Sequence, residues 1–376
     1  MKLFRQADVY APEPLGINDV LVAGGKIIKI AKDLSPFLDL DIEVIDVNQS
    51  LLVPGFVDSL VHITGGGGEG GFATRTPEMK IEEAIAGGVT TIIGVLGTDS
   101  ITRSLENLLA KTYALEEQGI SVFCYTGSYH IPAVTITESV TKDIMLINKF
   151  IGIGEVAIAD HRSSQITVQE LARLTSEARV AGMLANKAGI VSIHVGDEPS
   201  GLSILHQVTE QTDIPITQFY PTHINRTSNL LSQGIKFAQA GGFLDFTTST
   251  NEQILASGEV KAAQALAMCL DKGINVSQLT MSSDGNASLP VFDEQGALID
   301  LQVGEVKSLH LSFVEAVTEF DVPIDTALTT ITKSPANILK LQNKGRIQQG
   351  YDADINLLNK STLAVSSVYA KGIKMT

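Results

Sequence analysis

Cysteine is scarce in this 376-residue chain: Cys124 and Cys269 are the whole complement. Each lies in an apolar run and neither belongs to a CxxC pair, so both read as free, buried thiols in a reducing compartment. Positive charge is also short, with 27 Lys+Arg against 42 Asp+Glu and a formal net charge of −15. Nucleic acids and anionic membranes need clustered positive charge, and the balance argues against both as partners. No apolar run reaches transmembrane length, and residues 1–8 carry no apolar segment of a leader. The expectation is a soluble, cytoplasmic protein. The glycine-rich run Gly65-Gly66-Gly67-Gly68-Glu69-Gly70-Gly71 has neither the GxGxxG nor the GK[ST] form, so it gives no nucleotide-binding signature.

What the chain does have is 44% hydrophobic and 18% charged residues, enough for one large core and a smaller unit. Residues 53–62 (Val-Pro-Gly-Phe-Val-Asp-Ser-Leu-Val-His) read as a short buried strand running into the glycine loop. Alternation along it puts Asp58, Leu60 and His62 on one face and Val57, Ser59 and Val61 on the other. Further buried strands are expected at 89–98, 120–130, 150–160, 190–197, 216–225, 243–250 and 279–286. Helical segments lie between them, for example at 77–87, 104–118, 167–181 and 260–272. Eight strands with intervening helices predict an α/β fold, a (β/α)8 TIM barrel over residues 53–342. Residues 1–52 and 343–376 read as short strands and turns, with a hairpin signal at Gly24-Gly25. They are expected to form a small β-sandwich domain built from both termini.

Chemistry in such a barrel gathers at the C-terminal strand ends. The first strand ends at His62. The fourth passes Glu155 and ends in Asp160-His161-Arg162. The fifth ends at His194, the sixth at His223 and the eighth at Asp284. Any one of these alone would be read as a structural histidine or a rim carboxylate. Two histidines on successive strand ends, with carboxylates on the strand before and on the last strand, make a candidate divalent-metal site.

Several runs carry a family resemblance: Val9-Tyr-Ala-Pro-Glu13, Gly65-Gly-Gly-Gly-Glu69, Leu96-Gly-Thr-Asp-Ser100, Thr126-Gly-Ser-Tyr-His130, Asp160-His-Arg162, Pro221-Thr-His-Ile-Asn-Arg226 and Ser282-Ser-Asp-Gly-Asn286. In this order the sequence resembles the amidohydrolase superfamily, and within it the isoaspartyl dipeptidase branch. The resemblance implies metal-dependent hydrolysis of isoaspartyl (β-aspartyl) dipeptides by metal-activated water. It implies His194 and His223 as metal ligands, Asp284 as proton shuttle and Tyr129 as a donor to the carbonyl under attack. It assigns substrate binding to Glu69, Thr98, Arg162, Arg226 and Ser288. Read directly, Arg162 and Arg226 suit bidentate carboxylate pairing, and Glu69 can meet an ammonium.

Two positions depart from the family pattern. Leu60 stands where the pattern has the first histidine of His-x-His, and Glu155 where it has a bridging carbamylated lysine. Lys149, six residues back, is about 20 Å away along a strand and cannot substitute. The expected metal set is therefore Glu155, His194 and His223, with His62 as a weak fourth ligand or a partner to water. It is expected to hold one Zn²⁺ per chain, with a two-ion arrangement as the competing reading. Two other functions stay open: hydrolysis of another small acidic amide or N-acyl amino acid, and a catalytically impaired paralogue that binds a dipeptide. The expected partners are a small-molecule dipeptide and further copies of the chain in a homo-oligomer.

Overall fold

The computed structural model describes the chain except for residues 36, 38–40, 48–49, 294–297 and 376. The parts of the expected domains that fall on those positions lie outside the described residues. Eight short parallel strands follow one another: β1 (Phe56–Val61), β2 (Val89–Gly94), β3 (Ser121–Thr126), β4 (Phe150–Ile158), β5 (Ile190–Val195), β6 (Phe219–Thr222), β7 (Leu244–Thr247) and β8 (Leu279–Ser282). The first six form one sheet in sequence order and the last two a parallel pair. Ile224 N–H donates to Asp245 O at 3.3 Å, which links the end of β6 to β7. On the other side, Asp284 N–H reaches Leu60 O (3.1 Å) and His62 N–H reaches Gly285 O (2.9 Å), joining β8 to β1. The order and the linking bonds are consistent with the expected (β/α)8 barrel.

Helices lie between the strands where caps and apolar spacing direct them. Helix Val168–Ala185 begins at a Thr167/Glu170 capping box and ends at Asn186, whose φ of 53° is left-handed. That cap carries the helix past position 181, where the sequence pattern fades. Leu171, Leu174, Ala178 and Ala181 recur at helical spacing and are buried against the sheet. Helix Leu105–Glu117 is capped by the Ser104 side chain, which accepts from Asn107 N–H. An antiparallel hairpin, Ser288–Phe292 with Leu298–Val303, follows β8 and was not expected.

The two termini build one eight-stranded sheet. Its order runs Ile373–Lys374, Val365–Ala370, Ile355–Asn359, Ser50–Pro54, Lys2–Tyr10, Pro14–Ala23 and Lys26–Ala31, with Glu43–Asp46 paired on Lys2–Tyr10. The sheet curls on itself: Ile27 N–H donates to Tyr351 O and Ala353 N–H to Gly25 O, both at 2.9 Å.

The run 53–62 is not the single strand expected. Ser50–Pro54 pairs within the terminal sheet, and the barrel strand begins only at Phe56. Gly55 makes the change of sheet, because a Cβ there would lie 2.2 Å from Thr90 Oγ1. Register shifts on both sides of Val57-Asp58 then break the alternation. As a result Val57 and Leu60, expected on opposite faces, share one apolar cluster with Ile93, Val95 and Tyr125.

Candidate active site

Nine of the eleven expected site residues line a single cleft: His62, Glu69, Thr98, Tyr129, Arg162, His194, Arg226, Asp284 and Ser288. The other two, Glu155 and His223, are buried beside His194. Few of them are strand residues in the strict sense. Glu155 and His194 sit in β4 and β5. His62, His223 and Asp284 fall just past the ends of β1, β6 and β8, and Thr98, Tyr129, Arg162 and Arg226 lie in the loops beyond. His223 (φ 64°) and Asp284 (φ 53°) both adopt the left-handed conformation that L-residues seldom take.

Three donor atoms converge at the bottom of the cleft. Glu155 Oε2 lies 3.3 Å from His194 Nδ1 and 3.6 Å from His223 Nε2. The two imidazole nitrogens are 3.0 Å apart. Among the described residues, Glu155, His194 and His223 form the buried set whose ligand atoms all lie within 4.8 Å of one another. One carboxylate and two imidazoles suit a divalent ion such as zinc. The fit is supported by Glu155 Oε1, a fully buried atom that no hydrogen bond satisfies. His223 is oriented from behind by a bond between its Nδ1 and Thr247 Oγ1.

His62 stands apart from this set. Its Nε2 lies 3.3 Å from Glu155 Oε1 and 3.2 Å from Asp284 Oδ1, so it bridges two carboxylates. Burial works against charge on His62, but Asp284 and Glu155 outweigh it and lift the imidazole to about 10. Burial likewise opposes ionisation of Glu155, and the nearby imidazoles of His194, His223 and His62 overcome it, holding the carboxyl well below the usual range. His223 goes the other way: burial, then the Arg226 charge, push it down to about 4, so it is a neutral lone-pair donor. Burial and then Glu155 raise Tyr129 well above the ordinary phenol value, leaving it a proton donor. Its hydroxyl lies 2.7 Å from His194 Nδ1. Lys149 is indeed out of play, with its Nζ 2.5 Å from Glu116 at the opposite end of β4.

The upper wall is polar. Arg162 Nη1 approaches Glu69 Oε1 at 3.4 Å, and Thr98 Oγ1 donates to the same oxygen at 3.0 Å. The Arg162 guanidinium lies 5.6 Å from the Tyr129 ring centre. Two contributors were missed by the sequence reading. Arg103 donates to the carbonyls of Thr64, Gly66 (3.1 Å) and Thr76 (2.8 Å), stapling the glycine loop that carries Glu69. Asp160, read only as a strand end, contacts both Arg162 and His194.

The profile of the amidohydrolase family matches residues 51–374. The chain belongs to the amidohydrolase family, and it is a hydrolytic enzyme. Within that family its likeness is to the β-aspartyl dipeptidases. It is 43% identical, with a TM-score of 0.92, to the crystal structure of β-aspartyl dipeptidase from Fervidobacterium islandicum AW-1 in complex with a β-Asp-Leu dipeptide. That match covers 100% of this chain and 96% of the other. The N-acetylglucosamine-6-phosphate deacetylase of Pasteurella multocida is similar in fold alone, at 16% identity and a TM-score of 0.63, covering 100% and 99% of the two chains. Among curated relatives, the dihydroorotase of Bacillus cytotoxicus is 42% identical over 91 residues, or 24% of this chain. The chain spans 20% of the length of that relative.

Proposed function

We propose that this protein hydrolyses isoaspartyl (β-aspartyl) dipeptides with a divalent metal held by Glu155, His194 and His223. The observation that carries the proposal is the convergence of those three donors beneath a cleft whose wall includes Arg162, Arg226 and Glu69. Bound by these three residues, zinc would supply Lewis acidity and would lower the pKa of a water to roughly 7. One ion per chain fits the single three-donor set.

The chain's own residues supply the rest. Burial resists ionisation of Asp284, but its close contact with His62 outweighs that and keeps the carboxyl low. Asp284 is thus ready to accept a proton from the attacking water and pass it to the leaving amine. The Tyr129 hydroxyl donates to the amide oxygen as negative charge grows there. Arg162 and Arg226 pair with the two carboxylates of the dipeptide, Glu69 meets its ammonium, and Thr98 and Ser288 complete the binding wall.

The same reading divides the chain into a terminal β unit (1–52 with 343–376) and a catalytic barrel (53–342), in the cytoplasm. Self-association belongs to it as well. Met145, Leu146, Val180, Met183 and Leu184 are exposed on two helices, Val140–Leu146 and Val168–Ala185. Lys187 Nζ draws the helix ends together by bonding Ile144 O (2.5 Å) and Ile147 O (2.7 Å).

The test is a panel of β-Asp-Leu, α-Asp-Leu and N-acetyl-aspartate, followed by amine release. Hydrolysis confined to β-Asp-Leu, abolished by chelation and restored by zinc, is the expected result. Preferential release from N-acetyl-aspartate would move the substrate to another acidic amide. Zinc-loaded protein inert on all three would make the chain an impaired paralogue.

A further inference from the structure

Asp160 follows the end of β4 and is only 4% exposed. Its carboxylate is shared between two residues of the cleft. Oδ1 accepts from the backbone N–H of Arg162 (2.8 Å) and from Arg162 Nε (3.0 Å). Oδ2 accepts from Arg162 Nη2 (2.6 Å) and lies 3.1 Å from His194 Nε2. The exposed His161 imidazole is 3.7 Å from Oδ1. Gly196, two residues past His194, makes the approach sterically available. A Cβ there would meet Ala159 O at 2.1 Å and Asp160 Cβ at 2.8 Å. Gln165 Nε2 holds the Asp160 carbonyl at 3.2 Å.

We propose that Asp160 is a positioning residue that couples the metal centre to the substrate clamp. This rests on the reading above, in which His194 holds the metal and Arg162 a substrate carboxylate. By taking the Nε2–H of His194, Asp160 leaves the Nδ1 lone pair directed at Glu155 and His223. A carboxylate behind a histidine fixes its ring orientation and raises its basicity as a ligand. By engaging the Nε and Nη2 edge of Arg162, the same carboxylate leaves Nη1 facing the cleft, where Glu69 now sits. The substrate carboxylate therefore meets Arg162 through Nη1, at a place set relative to the metal by one side chain.

Asparagine cannot do this in either orientation of its amide. Its NH₂ would face Arg162 donors on one side, or Arg162 Nη2 and His194 Nε2–H on the other. Asp160→Asn is therefore expected to bind zinc ten- to a hundredfold more weakly in chelator competition, the usual range for losing such a partner. It should alter the visible absorption of the cobalt-substituted protein and raise KM for β-Asp-Leu, with the far-ultraviolet circular dichroism unchanged. Asp160→Glu, which keeps an acceptor for His194, should recover zinc affinity to within a few fold. Wild-type zinc affinity and cobalt spectrum in Asp160→Asn would overturn the proposal, as would a Glu variant no better than Asn. If the variants do not fold, apoprotein with ¹⁵N-labelled histidine decides: an Nε2–H tautomer at His194 supports the proposal and an Nδ1–H tautomer overturns it. Zinc affinity and tautomer are read without substrate. A wild type that binds zinc but leaves β-Asp-Leu intact would sink the proposed function while these readings still judge the hold of Asp160 on His194.

Discussion

At the scale of single residues, Asp284 separates chemistry from architecture cleanly. It sits at φ 53°, a conformation that asparagine tolerates as well as aspartate does. Asp284→Asn therefore spares the backbone while removing the proposed proton acceptor. Hydrolysis should fall by roughly 10²–10⁴-fold, while zinc content and circular dichroism stay at wild-type values. Loss of folding in this variant would make Asp284 a structural residue. The asparagine Oδ1 can still accept from His62 Nε2–H, now 3.2 Å from Asp284 Oδ1, so His62 loses the neighbouring charge but not the contact. Residues of this kind were legible because they cap apolar strand runs, where a histidine or aspartate has few other reasons to stand. Asp160 and Arg103 were not. Their roles depend on contacts with His194, 34 residues away, and Thr64, 39 residues away, that no local pattern announces.

At the scale of elements, β1 ties the barrel together through a polar group inside it. Asp58 is fully buried, accepts from Ser283 N–H at 3.0 Å, and has no partner on Oδ2. Burial raises its carboxyl from 3.8 to about 7, against the pull of Ser283. Below about pH 4 the residue is protonated in folded and unfolded chains alike and has no effect on stability. Between there and its raised value the folded chain holds the extra proton, so stability falls as pH rises, and above it the loss is complete. The lift corresponds to about 4 kcal/mol. Asp58→Asn stays neutral throughout and keeps the acceptor for Ser283. Urea unfolding should show the variant gaining on the wild type between pH 4.5 and pH 8. Parallel pH profiles for the two proteins would refute this. The sequence showed β1 as an apolar run but hid both its break at Gly55 and its bulge. Strands of two different sheets are equally apolar, and a close approach to Thr90 leaves no mark on local composition.

At the scale of the whole molecule, the decisive quantity is the number of ions each chain holds. Three donors converge on one point, and the position that could complete a second site is filled otherwise. Leu60 packs among Val57, Ile93 and Tyr125 and offers no ligand atom. His62 Nε2 is engaged by two carboxylates at 3.3 and 3.2 Å, and it would have to give up its proton and turn from both to accept a metal. Asp284 Oδ1 and Glu155 Oε1, both buried and without a hydrogen bond, favour a bridge to a second ion, the Glu155 oxygen most directly. A single ion leaves that oxygen to His62, which keeps the net charge of the buried cluster lower than two bare carboxylates would. Elemental analysis after dialysis against a mild chelator should therefore give one zinc per chain, and His62→Ala should leave that ratio unchanged. If the proposed ion binds only the folded chain, zinc at a hundredfold over its dissociation constant adds about 2.7 kcal/mol. For a chain of this length that raises the thermal midpoint by roughly 3 °C. A ratio near two that survives dialysis and falls to one in His62→Ala would overturn the single-ion centre and make Glu155 a bridging ligand.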